Sequence, residues 1–506
     1  MILQKILFSS LLITVTHQLS AQTFDASLLR DQRLRDLQLL GKGKADQGFT
    51  LRPIPFGVNA DSLTTSFKKP VVELLPISWI HQFNSRHPFG GNDGSLIAAK
   101  GLQTRASGGV LVRVGFVEMQ LAPELVWAAN PSYSTTAQFG FNNGKSFQRI
   151  YPGQSTLQLV AGGFHAGIST ANQWWGPGLR NSLLMTYQAP GFTHFFIGSR
   201  KPQSTPIGSF EWKLMGGWLR TDGDRSMENR HLLTADAVMG QQKRYLSAFT
   251  VSYQPRWIPG LFLGINRVVQ TYNKDSLTNT LGTFERYFPV LALGGQKKNV
   301  ANEDLIPRDQ VASFFLRWLF PKQHFEFYIE YGYNDYKFNT RDYLLGPGHS
   351  AAHLFGFKKL IPQRDENRWI DINLEFTKMS QTPDHMVRNA GNWYEHGQIK
   401  EGYTQDNQIL GSIYGFGADA LYVAVNLVRG EKRLGFFIEQ INRDPVNRSQ
   451  KWIDLGFGFA PQWIKGKWSL GGKIELIRSR GYAWQAGVNT MNLHLQTGIQ
   501  YRLQNK

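Results

Sequence analysis

The sequence predicts an all-β fold, a transmembrane outer-membrane β-barrel of antiparallel strands with a small N-terminal helical periplasmic element. Three observations point there. Apolar and polar residues alternate with period two along segments near ten residues long, which suits a tilted membrane crossing. Beyond the N-terminal leader, no uncharged apolar stretch reaches the roughly 18 residues of a membrane-spanning helix. Phe, Tyr and Trp make up 13% of the chain and Gly is plentiful at 51 residues, the composition of strands with interfacial girdles rather than of apolar blocks.

Taken in order, Met1 to Lys5 is a short, weakly positive leader and Ile6 to Val15 a mostly apolar run, too short to span a bilayer as a helix. Leu19-Ser20-Ala21 offers small residues before Gln22, so residues 1–21 read as a signal peptide cleaved near Ala21, leaving the mature chain bound for the outer membrane. Residues 22–70 read as a helical and extended periplasmic segment. Within it, Leu29, Leu34, Leu37 and Leu40 recur among Arg30, Asp31, Arg33, Arg35 and Asp36 with the spacing of an amphipathic helix, and Gly41 and Gly43 terminate it. One such helix buries no core alone, so it is expected to pack under the barrel.

The barrel is expected over residues 71–506, with Val71 to Phe83 as its first strand. Further on, Phe210, Trp212, Leu214 and Trp218 share a face against Glu211 and Lys213. Phe325, Phe327, Ile329 and Tyr331 alternate with Glu326, Tyr328 and Glu330, and Ile370, Ile372, Leu374 and Phe376 with Asp371, Asn373 and Glu375. Leu470, Ile474 and Leu476 oppose Lys473 and Glu475. From Met491 to Leu503, Leu493, Leu495, Ile499 and Tyr501 oppose Asn492, His494, Gln496 and Gln500. A soluble β-sandwich would alternate likewise. The aromatics near strand ends and an amphipathic final strand, able to close a barrel because no edge stays unpaired in lipid, favour the membrane.

Composition bounds the function. A mean hydropathy of −0.31 is too polar for a bundle of membrane helices. Without cysteine there are no disulfides, so stability must come from strand pairing. The net charge of +18, or +17 without Lys5, invites a polyanion: an acidic polysaccharide or the phosphates of lipopolysaccharide. No nucleic-acid motif accompanies the charge, so nucleic acid is not expected as a partner.

Motif order along the chain adds a resemblance. The stretches Leu51-Arg52-Pro53-Ile54, Phe83 to Gly94 (FNSRHPFGGNDG), Ala99-Lys100-Gly101 and Leu121-Ala122-Pro123-Glu124 come first. Asn172-Gln173-Trp174-Trp175-Gly176-Pro177-Gly178 with Asn181-Ser182-Leu183 follows, and then Gly402-Tyr403-Thr404 and Gly411 to Asp419 (GSIYGFGAD). Together they resemble the Wzi-type capsule assembly proteins in the version found in Bacteroidetes, over nearly the whole mature chain; Phe416 stands where the family pattern expects proline. The resemblance implies a monomeric barrel of about 18 strands with a small periplasmic helical part, in agreement with the length available. It implies a non-catalytic lectin that holds exported capsular polysaccharide or exopolysaccharide at the cell surface, with no cofactor.

A sugar site needs aromatic faces for the apolar side of the ring and planar polar groups for its hydroxyls. Asn172, Gln173, Trp174, Trp175, Arg180 and Asn181 supply these types, as do Trp393, Tyr394 and His396, and they are the candidate polysaccharide-binding residues. The competing reading makes Trp-Trp-Gly-Pro-Gly a turn with interfacial aromatics, and polar inward faces ordinary lumen lining. Glu326 and Glu330, like Asp371 and Glu375, lie about 13 Å apart along a strand, too far for the acid/base pair of a glycosidase. His349-Ser350 alone is a weak hydrolase signal, and the histidines show no metal-ligand spacing. The alternative to the lectin is a porin for anionic solutes.

Overall fold

Every backbone amide and carbonyl in the hydrocarbon layer needs a partner, and the computed structural model meets that demand by closing one antiparallel sheet on itself. It describes residues 24–53, 67–133, 144–221, 243–272, 287–291, 308–334, 344–346, 348–381, 391–397, 399, 401–446 and 448–503. The leader and its cleavage site lie outside the described residues, as does Ile54 of the first motif.

After one helix, α1 (Phe24–Leu39), the described residues form eighteen barrel strands. The first six are β1 (Phe67–Asn84), β2 (Gly101–Gly115), β3 (Val117–Leu121 and Glu124–Ala128), β4 (Phe147–Tyr151 and Thr156–Ala161), β5 (Phe164–Ser169) and β6 (His194–Ser199 and Gln203–Thr205). Next come β7 (Gly208–Leu219), β8 (Arg244–Pro255), β9 (Leu261–Tyr272), β10 (Arg308–Phe320), β11 (Phe325–Asn334) and β12 (Ala351–Pro362). The last are β13 (Arg368–Lys378), β14 (Asp419–Arg429), β15 (Lys432–Arg443), β16 (Trp452–Lys465), β17 (Trp468–Arg480) and β18 (Asn489–Tyr501). Each pairs with the next, and β18 closes on β1 from Ile77↔Tyr501 to Asn84↔His494. The terminal amphipathic strand thus removes the sheet edge.

The first strand starts at Phe67, four residues before the expected boundary at 71. Register shifts between Phe67 and Val71 and between Leu75 and Ser78 flank the prolines at 70 and 76. Bulges there let a residue without an amide sit in a strand that sequence pattern alone would end.

Connections at one end of the barrel run one to five residues, whereas those at the other run eight to forty. Short turns face the periplasm and long loops the exterior. The predicted faces hold throughout: Phe314, Ile329, Phe376, Ile474 and Ile499 are exposed to the lipid side, while Glu326, Glu330, Asp371 and Glu475 are buried inside.

The lumen is filled from both ends. In its extracellular half, Trp175, Leu183, Trp393, Tyr394, Tyr403 and Tyr414 from the loops pack against the inward Met215, Leu246, Val268, Val311 and Leu354. In the periplasmic half α1 lies across the mouth, with Arg33 donating to Gly430 O (2.7 Å) and His324 Nδ1 beside Leu39 O (2.9 Å). The helix is present as the leucine spacing predicts, but the expected leucine face is not what it buries. Leu34 and Leu37 stay half-exposed, while Arg30, Asp31, Arg35 and Asp36 are buried. The lumen wall here carries Glu326, Lys358, Asp371 and Arg433, so the charged stripe turns inward to pair: Asp36 with Lys358 (2.8 Å) and Arg433, and Arg35 with Glu326.

Candidate functional site

The segment after α1 climbs inside the barrel rather than lying beneath it. Gln47 Nε2 and the Gly48 amide each donate to Glu211 of β7 (3.0 Å), and Arg317 of β10 donates to Gly48 O (2.8 Å) and Gln38 Oε1 (2.9 Å). Leu51 and Arg52 then pair antiparallel with Trp175 and Trp174, residues of the extracellular connection 170–193. The Gly176 amide donates to Thr50 O (2.8 Å), Arg35 donates to Pro177 O (2.8 Å), and the Arg52 guanidinium lies 4.3 Å from the Trp174 ring. Periplasmic segment and extracellular loop therefore meet within the barrel as one plug. Burial, aided by neighbouring Arg35, pulls Arg52 down to about 10.

Strand carboxylates anchor the loop side. Glu330 accepts from Ser182 (3.2 Å) and the Leu183 amide (3.1 Å), and Glu375 from the amides of Leu179 (2.7 Å) and Arg180 (3.1 Å). Arg180 lies bidentately on Glu439, both bonds at 2.9 Å. Although burial opposes its charge, Glu439 holds the guanidinium well above its ordinary value. Glu326 and Glu330 are thus both engaged by the plug or the lumen wall.

The two predicted clusters do come together. Tyr394 Oη donates to Leu183 O (2.7 Å) and accepts from the Ser412 amide (2.8 Å). Asn181 donates to Thr377 (3.1 Å) and Ser412 (2.9 Å) and accepts from the Ile413 amide (3.1 Å). The Asn92 amide reaches Gln188 Oε1 (2.8 Å), and the Gly94 amide Tyr187 O (2.8 Å). Motif stretches far apart in the chain are therefore neighbours in the plug.

Of the candidate residues, Trp174, Trp175, Asn181, Trp393 and Tyr394 are 0% exposed and Asn172 is buried, so these shape the plug from within. Trp393 Nε1 donates to Ser350 O (3.0 Å), which gives the His349-Ser350 pair a part in loop packing. Gln173, Arg180 and His396 keep partial exposure; Gln173 accepts from Lys213 (2.8 Å), and His396 Nδ1 accepts from the Ile399 amide (3.1 Å). Sequence reasoning passed over the carboxylates Glu375 and Glu439 as parts of this site. Their signal was a buried acid on an inward face, legible only once the loop that neutralises it is in place.

A cavity of about 300 Å³ remains between the plug and the wall from β11 to β18 and β1, lined among others by Arg180, Asp93, Glu375, Lys473 and Gln496. Its acids, Asp93, Asp371 and Glu375, sit among four cations, Arg180, Lys358, Arg433 and Lys473, so the chain's large positive excess lies elsewhere. Among the described residues, no group of His, Cys, Asp and Glu is arranged to hold a metal ion.

A family model, capsule assembly protein Wzi, matches residues 99–475. The chain belongs to that family. One solved relative is Wzi of Escherichia coli, an outer-membrane protein involved in group 1 capsule assembly and a carbohydrate-binding β-barrel. At 13% identity it superposes with a TM-score of 0.60, covering 94% of this chain and 98% of the other. The family fold is therefore shared over almost the full length, placing the chain in the outer membrane. Pseudomonas aeruginosa OpdL (8% identity, TM-score 0.42, 86% and 99% covered) and Acinetobacter baumannii OccAB1 (10%, 0.38, 86% and 97%) are more distant matches. No curated protein matches the sequence.

Proposed function

We propose that this Wzi-family barrel binds exported capsular polysaccharide or exopolysaccharide at the outer surface and holds it there without chemical turnover. The observation that carries this reading is the plug: an N-terminal segment and an extracellular loop joined inside the lumen at Leu51↔Trp175 and Arg52↔Trp174. A barrel filled this way is a rigid platform for its long loops, not an open diffusion path. The carbohydrate binding ascribed to the Escherichia coli relative supports the same role.

In this reading Asn172, Trp174, Trp175, Asn181, Trp393 and Tyr394 fix the shape of the polymer-facing loops. The polar contacts fall to groups with exposure left, His396 at the loop surface, and Gln173 and Arg180 where the lumen is reached. Planar amide, imidazole and guanidinium groups suit sugar hydroxyls and uronate carboxylates. The test is titration of purified, folded protein with polymer shed by the producing cells. Saturable binding that weakens in His396→Ala, with unfolding temperature unchanged, supports the site. Absence of binding by wild-type protein, together with steady current in planar bilayers, would establish the porin reading instead.

A further inference from the structure

The positive charge absent from the cavity is found partly on the outer wall of β16, β17 and β18. The only acids on these strands, Asp454 and Glu475, are 2% and 0% exposed in the lumen, where Asp454 holds Arg443 (3.1 Å) and Glu475 faces Lys473 (3.5 Å). Outward on β17 come Trp468, Leu470, Ile474 and Leu476, and then Arg478 and Arg480, both exposed. Trp468 to Arg478 spans ten residues of tilted strand, roughly the 25 Å height of an apolar band, so the arginines emerge at the level of the outer-leaflet headgroups. Neighbours in register are Leu455 and Met491 beside Arg478, and Ile453 and Asn489 beside Arg480, none of them acidic. Exposed Lys451 lies two residues before Ile453, diagonal to Arg480 at about 7–8 Å. Among the described residues these three cations have no carboxylate partner.

We infer that Arg478, Arg480 and Lys451 form a docking site for a phosphorylated glycolipid of the outer leaflet, the bis-phosphorylated lipid A portion of lipopolysaccharide. Two guanidiniums about 7 Å apart on one face reach a phosphate with paired N–H donors, and Lys451 adds a third charge. The half-exposed Leu476 and Phe457 below the arginines, with Met491 beside Arg478, accept acyl chains, which commits the site to a lipid rather than free phosphate. The site adjoins the loop-bearing rim, so it fixes the barrel's height and seats it in the leaflet from which the polymer extends.

Native mass spectrometry of the full chain in detergent, with hexa-acylated lipid A as the probe, tests the inference. Bound lipid A is expected for wild-type protein. A loss of about tenfold is expected in Arg478→Gln/Arg480→Gln, and a smaller loss in Arg478→Lys/Arg480→Lys, which keeps the charge without the paired donors. Dephosphorylated lipid A should bind weakly, and inorganic phosphate should not compete at millimolar concentration. Lys465→Gln/Lys467→Gln at the opposite rim should bind like wild type. Equal binding of lipid A by wild type and the double Gln variant, both shown folded by heat-modifiable gel migration, would overturn the site. So would equal binding of phosphorylated and dephosphorylated lipid.

Discussion

Arg180 ties three parts of the molecule together: its amide reaches Glu375 on β13, its guanidinium reaches Glu439 on β15, and its own backbone belongs to an extracellular loop. Breaking such a pair from one side strands a charge. Arg180→Met leaves Glu439 with Tyr414 as its remaining hydrogen-bond donor (3.0 Å), and should cost about 3–5 kcal/mol in urea unfolding followed by tryptophan fluorescence. Adding Glu439→Gln should recover much of that loss, since position 439 then carries no carboxylate stripped of its guanidinium. A loss under about 1 kcal/mol in the single variant would show that the pair does not hold the loop. The sequence displayed Arg180 as a candidate because it sits in a polar, aromatic motif. It could not display Glu439, which lies 259 residues away.

At the scale of elements, the loops are seated by close approach. A Cβ on Gly332 of β11 would come within 2.6 Å of Trp393 Cη2 and 3.0 Å of Leu183 Cδ1, so the inward face there must stay bare. Gly332→Leu should destabilise the barrel by about 1–3 kcal/mol, and Trp393→Ala in the same chain should relieve part of the clash. Nearby, Glu395 and Asp444 share one donor, Asn392 Nδ2, at 2.9 and 3.2 Å. Burial first, and Asp444 second, push Glu395 up to about 7 from 4.5, against the pull of Asn392 and Arg448. A raised carboxyl binds its proton more tightly folded than unfolded. The penalty for ionising it is therefore absent below about 4.5, grows as pH rises, and is complete above about 7. Glu395→Gln should raise the unfolding temperature at pH 8 and leave it unchanged at pH 4. Equal shifts at both values would remove charge from the explanation.

For the whole molecule, the proposed role makes a prediction about conduction. Wild-type protein in planar bilayers should show no steady open-channel current. Arg35→Ala with Arg52→Ala removes the ties to Glu326, Pro177 O and Gly178 O, and should release the N-terminal segment to give flickering conductance. Silence in that double variant would mean that the remaining contacts, such as Gly48 with Glu211, suffice to hold the plug. The charge stripe of α1 marks where sequence reading turned. Four leucines suggested an apolar buried face, yet Arg35 and Asp36 are the side chains taken in, because the wall opposite supplies Glu326, Lys358 and Arg433.

By itself, the sequence determined the barrel, its lipid and lumen faces and its terminal closing strand. Alternation is a local property, read from residues two apart, and lipid permits no open edge. It also marked the stretches that meet in the plug, through the order of their motifs. Only the tertiary structure decided that the paired tryptophans are buried, that a charged helix face turns inward, and that the N-terminal segment joins an extracellular loop inside the lumen. Those outcomes depend on partners more than a hundred residues apart, whose charges and shapes meet only after the sheet has closed.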